Sequence, residues 1–197
     1  MTIVSVSELI TGAKEGKVVS FPTDTVPALA VRPDNAEAIF RLKQREANKP
    51  LILMGASWEQ LRFYVDGTTE ELQVWEEMTR KYFPGQLTLV LPSSPQVPST
   101  VNPKTPETIG VRVPDCSIAL SIFQAVGVLA TTSANRSGEP PLTSPESIDR
   151  AFPEVLVLND ISSVSSSGSP STVAKWTGNN WQVLSQDNSS LIPVIRS

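Results

Sequence analysis

The chain contains no histidine among its 197 residues. That absence excludes imidazole acid–base catalysis, Ser-His-Asp and Cys-His nucleophiles and His-ligated zinc. Cysteine is almost as scarce: Cys116 stands alone, so no disulfide closes within the chain and no thiolate cluster holds zinc. Cys116 itself reads as a small, semi-buried core residue. No apolar run approaches the roughly 18 to 20 residues that span a bilayer. The opening Met1-Thr2-Ile3-Val4-Ser5-Val6 lacks the basic start and apolar stretch of a signal peptide, so a cytoplasmic protein with no membrane partner is expected. Two phosphate-binding signatures are also missing, the Gly-x-x-x-x-Gly-Lys-Ser/Thr loop and a Gly-x-Gly-x-x-Gly after a strand.

What is present has a globular balance, with 40% hydrophobic and 18% charged residues. Such a composition supports one compact domain over residues 1–197. The net charge of −4 argues against a protein that coats nucleic acid, since phosphate neutralisation needs surplus Lys and Arg, but leaves room for a local basic pocket.

Periodicity and capping signals alternate along the chain. A short helix from Val6, capped by Ser5 or Ser7, stops at Gly16. Strands follow at Lys17 to Phe21 and Ala28 to Val31. Asp34 with Glu37 reads as a capping box for a helix reaching Gln44. Leu51 to Met54 is a buried strand, and Ser57 is placed to cap a short helix through Phe63. Thr69 to Tyr82 is the strongest helix, with Leu72, Trp75, Met78 and Tyr82 on one face. Strands at Gln86 to Leu91 and Thr108 to Val113 flank a Pro- and Ser-rich loop. Ile118 to Val126 and Pro145 to Phe152 are helices. Val128 to Thr131, Val155 to Leu158, Ser171 to Ala174 and Trp181 to Leu184 are strands. The Ser/Gly segment from Ile161 to Pro170 is a surface loop by composition and less often a lid. The expected class is α/β (α+β): a twisted mixed sheet of about seven strands with flanking helices.

Four polar segments adjoin apolar strands, where α/β proteins build pockets. Pro22-Thr23-Asp24-Thr25 offers two hydroxyls and a carboxylate, or simply an Asp/Thr turn satisfying its own backbone. Arg41, Lys43, Arg45 and Lys49 concentrate positive charge at a helix end. They complement the helix dipole, or bind a polyphosphate through forked arginine and mobile lysine contacts. Thr131 to Gly138 runs from a buried strand into hydroxyls, an amide and a glycine, either a turn or an anion cradle. Pro170-Ser171-Thr172-Val173 enters a strand after the serine loop.

Taken in order, these segments resemble the YrdC-like family of threonylcarbamoyl-adenylate synthases. The matching blocks are Pro22 to Thr25, Lys43 to Ile52, Val111-Arg112, Ser133 to Gly138 and Ser171 to Val173. The resemblance implies an α/β fold with a concave, positively charged cleft. It implies an enzyme that joins L-threonine, bicarbonate or CO2, and ATP into L-threonylcarbamoyl-adenylate with release of pyrophosphate. A separate transferase would then pass the threonylcarbamoyl group to tRNA. On the same ground Thr23, Arg112, Thr131 and Ser171 would hold threonine. Lys43, Arg45, Lys49, Thr108, Ser133 and Asn135 would hold ATP, with Lys43 and Arg45 carrying catalysis from solvent-facing positions. Magnesium would arrive with the ATP phosphates, with no tightly bound cofactor and no protein metal site.

Several positions depart from the family pattern. Asp24 replaces the usual glutamate, Pro27 stands where tyrosine is common, and Met54 where many members have histidine. Pro141 falls on a frequent serine, and Leu184-Ser185 on a Leu-Arg pair. The alternative is therefore a non-catalytic or divergent YciO-type paralogue that binds a nucleotide or RNA, with tRNA or double-stranded RNA as its candidate partner.

Overall fold

Side-chain alternation along one short strand shows how the molecule is layered. In β3 (Ala28–Val31), Ala28 and Ala30 join one hydrophobic cluster while Leu29 and Val31 join another. A period of two places these clusters on opposite faces of a single sheet.

The structure, a computed structural model, describes residues 2–44, 49–159 and 166–185. The chain runs β1 (Ile3–Val4), α1 (Val6–Lys14), β2 (Val19–Phe21), β3, a 3-10 turn (Pro33–Asn35) and α2 (Glu37–Lys43). It continues through β4 (Ile52–Met54), α3 (Trp58–Arg62), α4 (Thr69–Tyr82), β5 (Leu87–Pro92), β6 (Thr108–Arg112), α5 (Ser117–Val126) and β7 (Leu129–Ser133). The remaining elements are α6 (Pro145–Ala151), β8 (Leu156–Leu158), β9 (Thr172–Trp176) and β10 (Trp181–Ser185).

All these strands form one mixed sheet of ten, ordered β1-β8-β2-β3-β7-β4-β6-β5-β9-β10. Neighbours run parallel at β1/β8, β8/β2, β4/β6 and β5/β9, and antiparallel elsewhere. The expected seven strands are an undercount. Every stretch read as a strand enters the sheet, and β1, whose two residues are too short to show a period, adds an edge beside β8.

Helices α1 and α5 cover one half of the first face, where Leu9, Phe21 and Phe123 are fully buried or nearly so. Phe21 meets Phe123 edge-on at 5.5 Å between ring centroids, a favoured aromatic geometry. The second face packs against α2, α3, α4 and α6 around the buried Trp75. Cys116 occupies the N-cap position of α5 without a side-chain capping bond and is more deeply buried than expected, at 5% exposure; burial pushes its thiol pKa up.

Capping explains where the helices begin. Ser5 and Thr68 each accept from the backbone N–H three residues on while Glu8 and Glu71 reach back, closing capping boxes on α1 and α4. The box expected from Asp34 does not form. Asp34 pairs with Arg32 and lies within the 3-10 turn that precedes α2, whose start carries no side-chain cap. Ser57 stands at the start of α3 without a capping bond. The Pro-rich loop belongs to the body of the fold: Val101 is fully buried and its carbonyl accepts from the Leu51 N–H at 3.0 Å. Among the described residues no helix is long and apolar enough to cross a membrane.

Candidate functional site

The half of the first face beyond α1 and α5 is open, and a cavity of about 460 Å³ lies over it. Its floor is a transverse row in which Thr131, Ile52, Gly110, Val90 and Lys175 stand opposite one another in register across β7, β4, β6, β5 and β9. Gly110 is required at the centre of that row. A Cβ there would lie 2.6 Å from Ile52 Cγ2.

Arg112, two residues beyond Gly110, marks one end. Its guanidinium donates from Nη2 to Asp24 Oδ1 at 2.6 Å, from Nη1 to Thr25 Oγ1 at 2.9 Å and from Nε to the Gly85 carbonyl at 3.0 Å. Both charges are buried, and burial pulls the arginine pKa below its ordinary value while Asp24 opposes that shift. Oδ2 of Asp24 has no hydrogen-bond partner among the described residues. The Arg112 that lines the cavity is thus already held by a carboxylate, with one N–H left on each terminal nitrogen.

The loop carrying Asp24 is held from two sides. Gln86 Nε2 donates to the Asp24 carbonyl at 3.1 Å. The end of the serine-rich segment reaches the same loop: the Ser167 and Gly168 N–H groups each lie 3.0 Å from the Asp24 and Thr25 carbonyls, and the Ser166 hydroxyl also donates to Thr25. The described part of this segment is therefore tied to the wall of the cavity. The rest, residues 161–165, falls outside the described residues.

The other end is built by the turn after β7. Lys43 Nζ donates to the Ser133 carbonyl at 2.6 Å, to Asn135 Oδ1 at 3.1 Å and to Thr132 Oγ1 at 3.4 Å. The expectation of a solvent-facing Lys43 is corrected: it is only 2% exposed, because α2 ends against this turn and the ammonium is enclosed by its acceptors. Arg45 lies outside the described residues. Lys49 is exposed, beside Pro50 of the cavity rim.

The structure brings together most of the residues singled out in the sequence, in two ranks. Arg112, Thr131, Ser171, Thr108 and Ser133 line the cavity. Behind them stand Lys43 and Asn135, joined to Ser133, and Thr23, whose hydroxyl is 3.0 Å from that of Thr25 and donates to the Val26 carbonyl at 2.8 Å. Thr23 thus satisfies its own turn and Thr25 presents the hydroxyl to the cavity. Met54, Pro27 and Ser185, all departures from the family pattern, line the same space.

Sequence reasoning passed over Asn102, Thr105, Thr88 and Lys175. Asn102 is buried, donates to the Thr105 and Thr108 carbonyls at 2.7 and 2.9 Å, and shapes the loop that closes the rim. Thr88 shares a 2.8 Å hydrogen bond with Ser171. Lys175 was detectable: it follows Ser171 by four residues on an extended strand, which puts both on one face. Two cations, Arg112 and Lys175, and no carboxylate line the cavity among the described residues.

Known proteins share the sequence and the fold of this chain. A family model described as "Telomere recombination", for Sua5, YciO and YrdC proteins, matches residues 12–186. A threonylcarbamoyl-AMP synthase of Pseudoalteromonas atlantica is 36% identical over 162 residues, covering 80% of this chain and 85% of the relative. A threonylcarbamoyl-AMP synthase of Pyrococcus abyssi is 38% identical over 143 residues, covering 71% of this chain and 41% of the longer relative. The crystal structure of P. abyssi Sua5 complexed with L-threonine superposes with a TM-score of 0.78 at 32% identity, covering 91% of this chain and 53% of that one. This chain thus spans most of one relative and about half or less of the other. Shared sequence over four-fifths of the chain and a shared fold over nine-tenths lead to one conclusion: the chain belongs to the Sua5/YciO/YrdC family.

Proposed function

We propose that this protein is an L-threonylcarbamoyl-adenylate synthase, which uses L-threonine, bicarbonate or CO2, and ATP, and supplies an activated threonylcarbamoyl group to a tRNA-modifying transferase. The observation that carries the reading is the two-ended cavity. Arg112 sits at one level of β6, and Thr108 and Ser133 line the other. Four residue steps along the strand lead from Thr108 to Arg112, about 13 Å at strand rise. That length suits an amino acid laid against the nucleotide phosphate it attacks.

In this reading the two remaining Arg112 N–H groups receive the threonine carboxylate, with Thr131 and Ser171 beside it. Thr108, Ser133 and the turn steadied by Lys43 and Asn135 receive the nucleotide. The neutral threonine amine first adds to the carbon of CO2, giving a carbamate as one N–H proton passes to solvent. A carbamate oxygen then forms a bond to the α-phosphorus as the bond from that phosphorus to the bridging oxygen breaks, and pyrophosphate leaves with the electron pair. Such a step joins anions and depends on positioning and charge neutralisation more than on a protein base. A chain without histidine is suited to it. Magnesium enters with the ATP phosphates as part of the substrate.

Purified protein given ATP, bicarbonate and Mg2+ should release pyrophosphate only when L-threonine is added. Nucleotide binding or salt-sensitive RNA binding with no threonine-dependent product would reject the synthase in favour of a non-catalytic member of the family.

A further inference from the structure

Lys175 is the cation that the site described so far leaves unused. It stands on β9 opposite Val90 of β5 and Gln182 of β10, half-buried, with its side chain on the cavity side. Among the described residues it forms no hydrogen bond and no ion pair, whereas Arg112, the other cation lining the cavity, is bound to Asp24. The side chains around it on the floor are apolar or carry no charge: Val90, Val173 and Gly110. An ammonium in that setting, with no carboxylate on the walls, is suited to receive an anion.

Its place on the sheet says which part of a ligand it meets. Lys175 shares the transverse row of Gly110, midway along β6 between Thr108 and Arg112. It is two strands to the side, so its Cα lies about 10 Å across the sheet from Gly110. A lysine side chain bridges much of that width. The ammonium therefore addresses the middle of the cavity, between the end assigned to the amino acid and the end assigned to the nucleoside.

We propose that Lys175 binds phosphate oxygens of the nucleotide, neutralising the polyphosphate from the β9/β10 side of the cavity. The assignment rests on the synthase reading for the identity of the nucleotide, but the anion site itself is carried by the geometry. Sequence resemblance points elsewhere for phosphate contacts, to Lys43, Arg45 and Lys49, of which Lys43 stands across the cavity, against the end of β7. A receptor on β9 would grip the chain of phosphates from the opposite side.

The test is isothermal calorimetry with ATP and, separately, with inorganic tripolyphosphate, on the wild type, Lys175→Ala and Lys175→Arg, with pyrophosphate release followed in parallel. Lys175→Ala is expected to weaken both ligands by roughly ten- to a hundredfold, the loss of one charge-assisted contact. The KM for ATP should rise with the KM for threonine unchanged, and Lys175→Arg should restore most of the binding. Equal affinity of the wild type and Lys175→Ala for both ligands would overturn the proposal, as would a wild type that binds neither. Wild-type tripolyphosphate binding that depends on Lys175, without threonine-dependent turnover, would uphold the anion site and reject the synthase. Threonine-dependent turnover with unaltered ATP binding in Lys175→Ala would do the reverse.

Discussion

Asp24 Oδ1 lies 2.6 Å from Arg112 Nη2, joining the loop after β2 to the end of β6 across the buried side of the cavity. Removing one member of such a pair strands the other charge, typically at a cost of about 3–5 kcal/mol. Arg112→Ala and Asp24→Ala should each lower unfolding free energy by about that amount in urea titrations. The double variant should lose less than the sum by at least about 1 kcal/mol, the coupling expected of residues in contact. Strict additivity would mean that the pair does not hold the loop.

The enclosure of Lys43 changes what its removal does. A solvent-facing lysine would leave the fold untouched when truncated, but here three acceptors, two at the end of β7 and one on the turn after it, share its ammonium. Lys43→Ala should therefore destabilise the protein by about 1–3 kcal/mol. For a chain of this size that corresponds to a fall of roughly 2–12 °C in Tm. Differential scanning calorimetry measures it directly. An unchanged Tm would mean that these contacts do not hold the turn in place. The loss of activity expected of this variant must accordingly be measured well below its melting point.

Much of this organisation could be read from residue order, for identifiable reasons. Thr69 to Tyr82 coincides with α4 because its cap, acidic first turn and apolar spacing all agree. Arg112, Thr131 and Ser171 are marked by the family resemblance, and Thr131 and Ser171 also fall in polar segments that adjoin apolar strands. Burial of Lys43 was illegible, since a helix-end cation looks the same whether it meets solvent or a turn that lies 90 residues away in the chain. The exchange of roles between Thr23 and Thr25 depends on which hydroxyl the turn uses for itself, and composition does not encode that choice. Asn102 was hidden for the opposite reason: an asparagine in a Pro-rich loop resembles ordinary turn chemistry until the loop is seen folding back over the cavity.

Gly110 offers a test of the cavity floor. A methyl group at this position would meet Cγ2 of Ile52, an atom on a β-branched side chain with little freedom to turn away. Gly110→Ala should cost about 1–3 kcal/mol through overpacking. Adding Ile52→Ala should recover part of that loss, although Ile52→Ala alone is destabilising. Chemical denaturation of the four proteins in the cycle gives the answer. Loss of stability that Ile52→Ala does not relieve would place the strain elsewhere.

Glu71 makes a pH-dependent contribution far from the cavity. Its carboxylate accepts from the Trp176 indole N–H at 2.8 Å and from the Thr68 backbone N–H at 3.0 Å, so it both caps α4 and fastens that helix to β9. These bonds, the indole's first, hold its pKa below the ordinary glutamate value of 4.5. The folded protein therefore binds this proton less readily than the unfolded chain, and stability rises with pH across the interval between the two values. The contribution is complete above the ordinary value and is lost as pH falls through the lower, folded one. Glu71→Gln keeps an acceptor but cannot ionise. Wild type should exceed Glu71→Gln by about 1 kcal/mol at pH 7, and the gap should close as the pH falls below 4.5. Urea unfolding at pH 7, 4.5 and 3 reads this difference. A gap that stays constant over that range would mean that Glu71 acts through shape and not through charge.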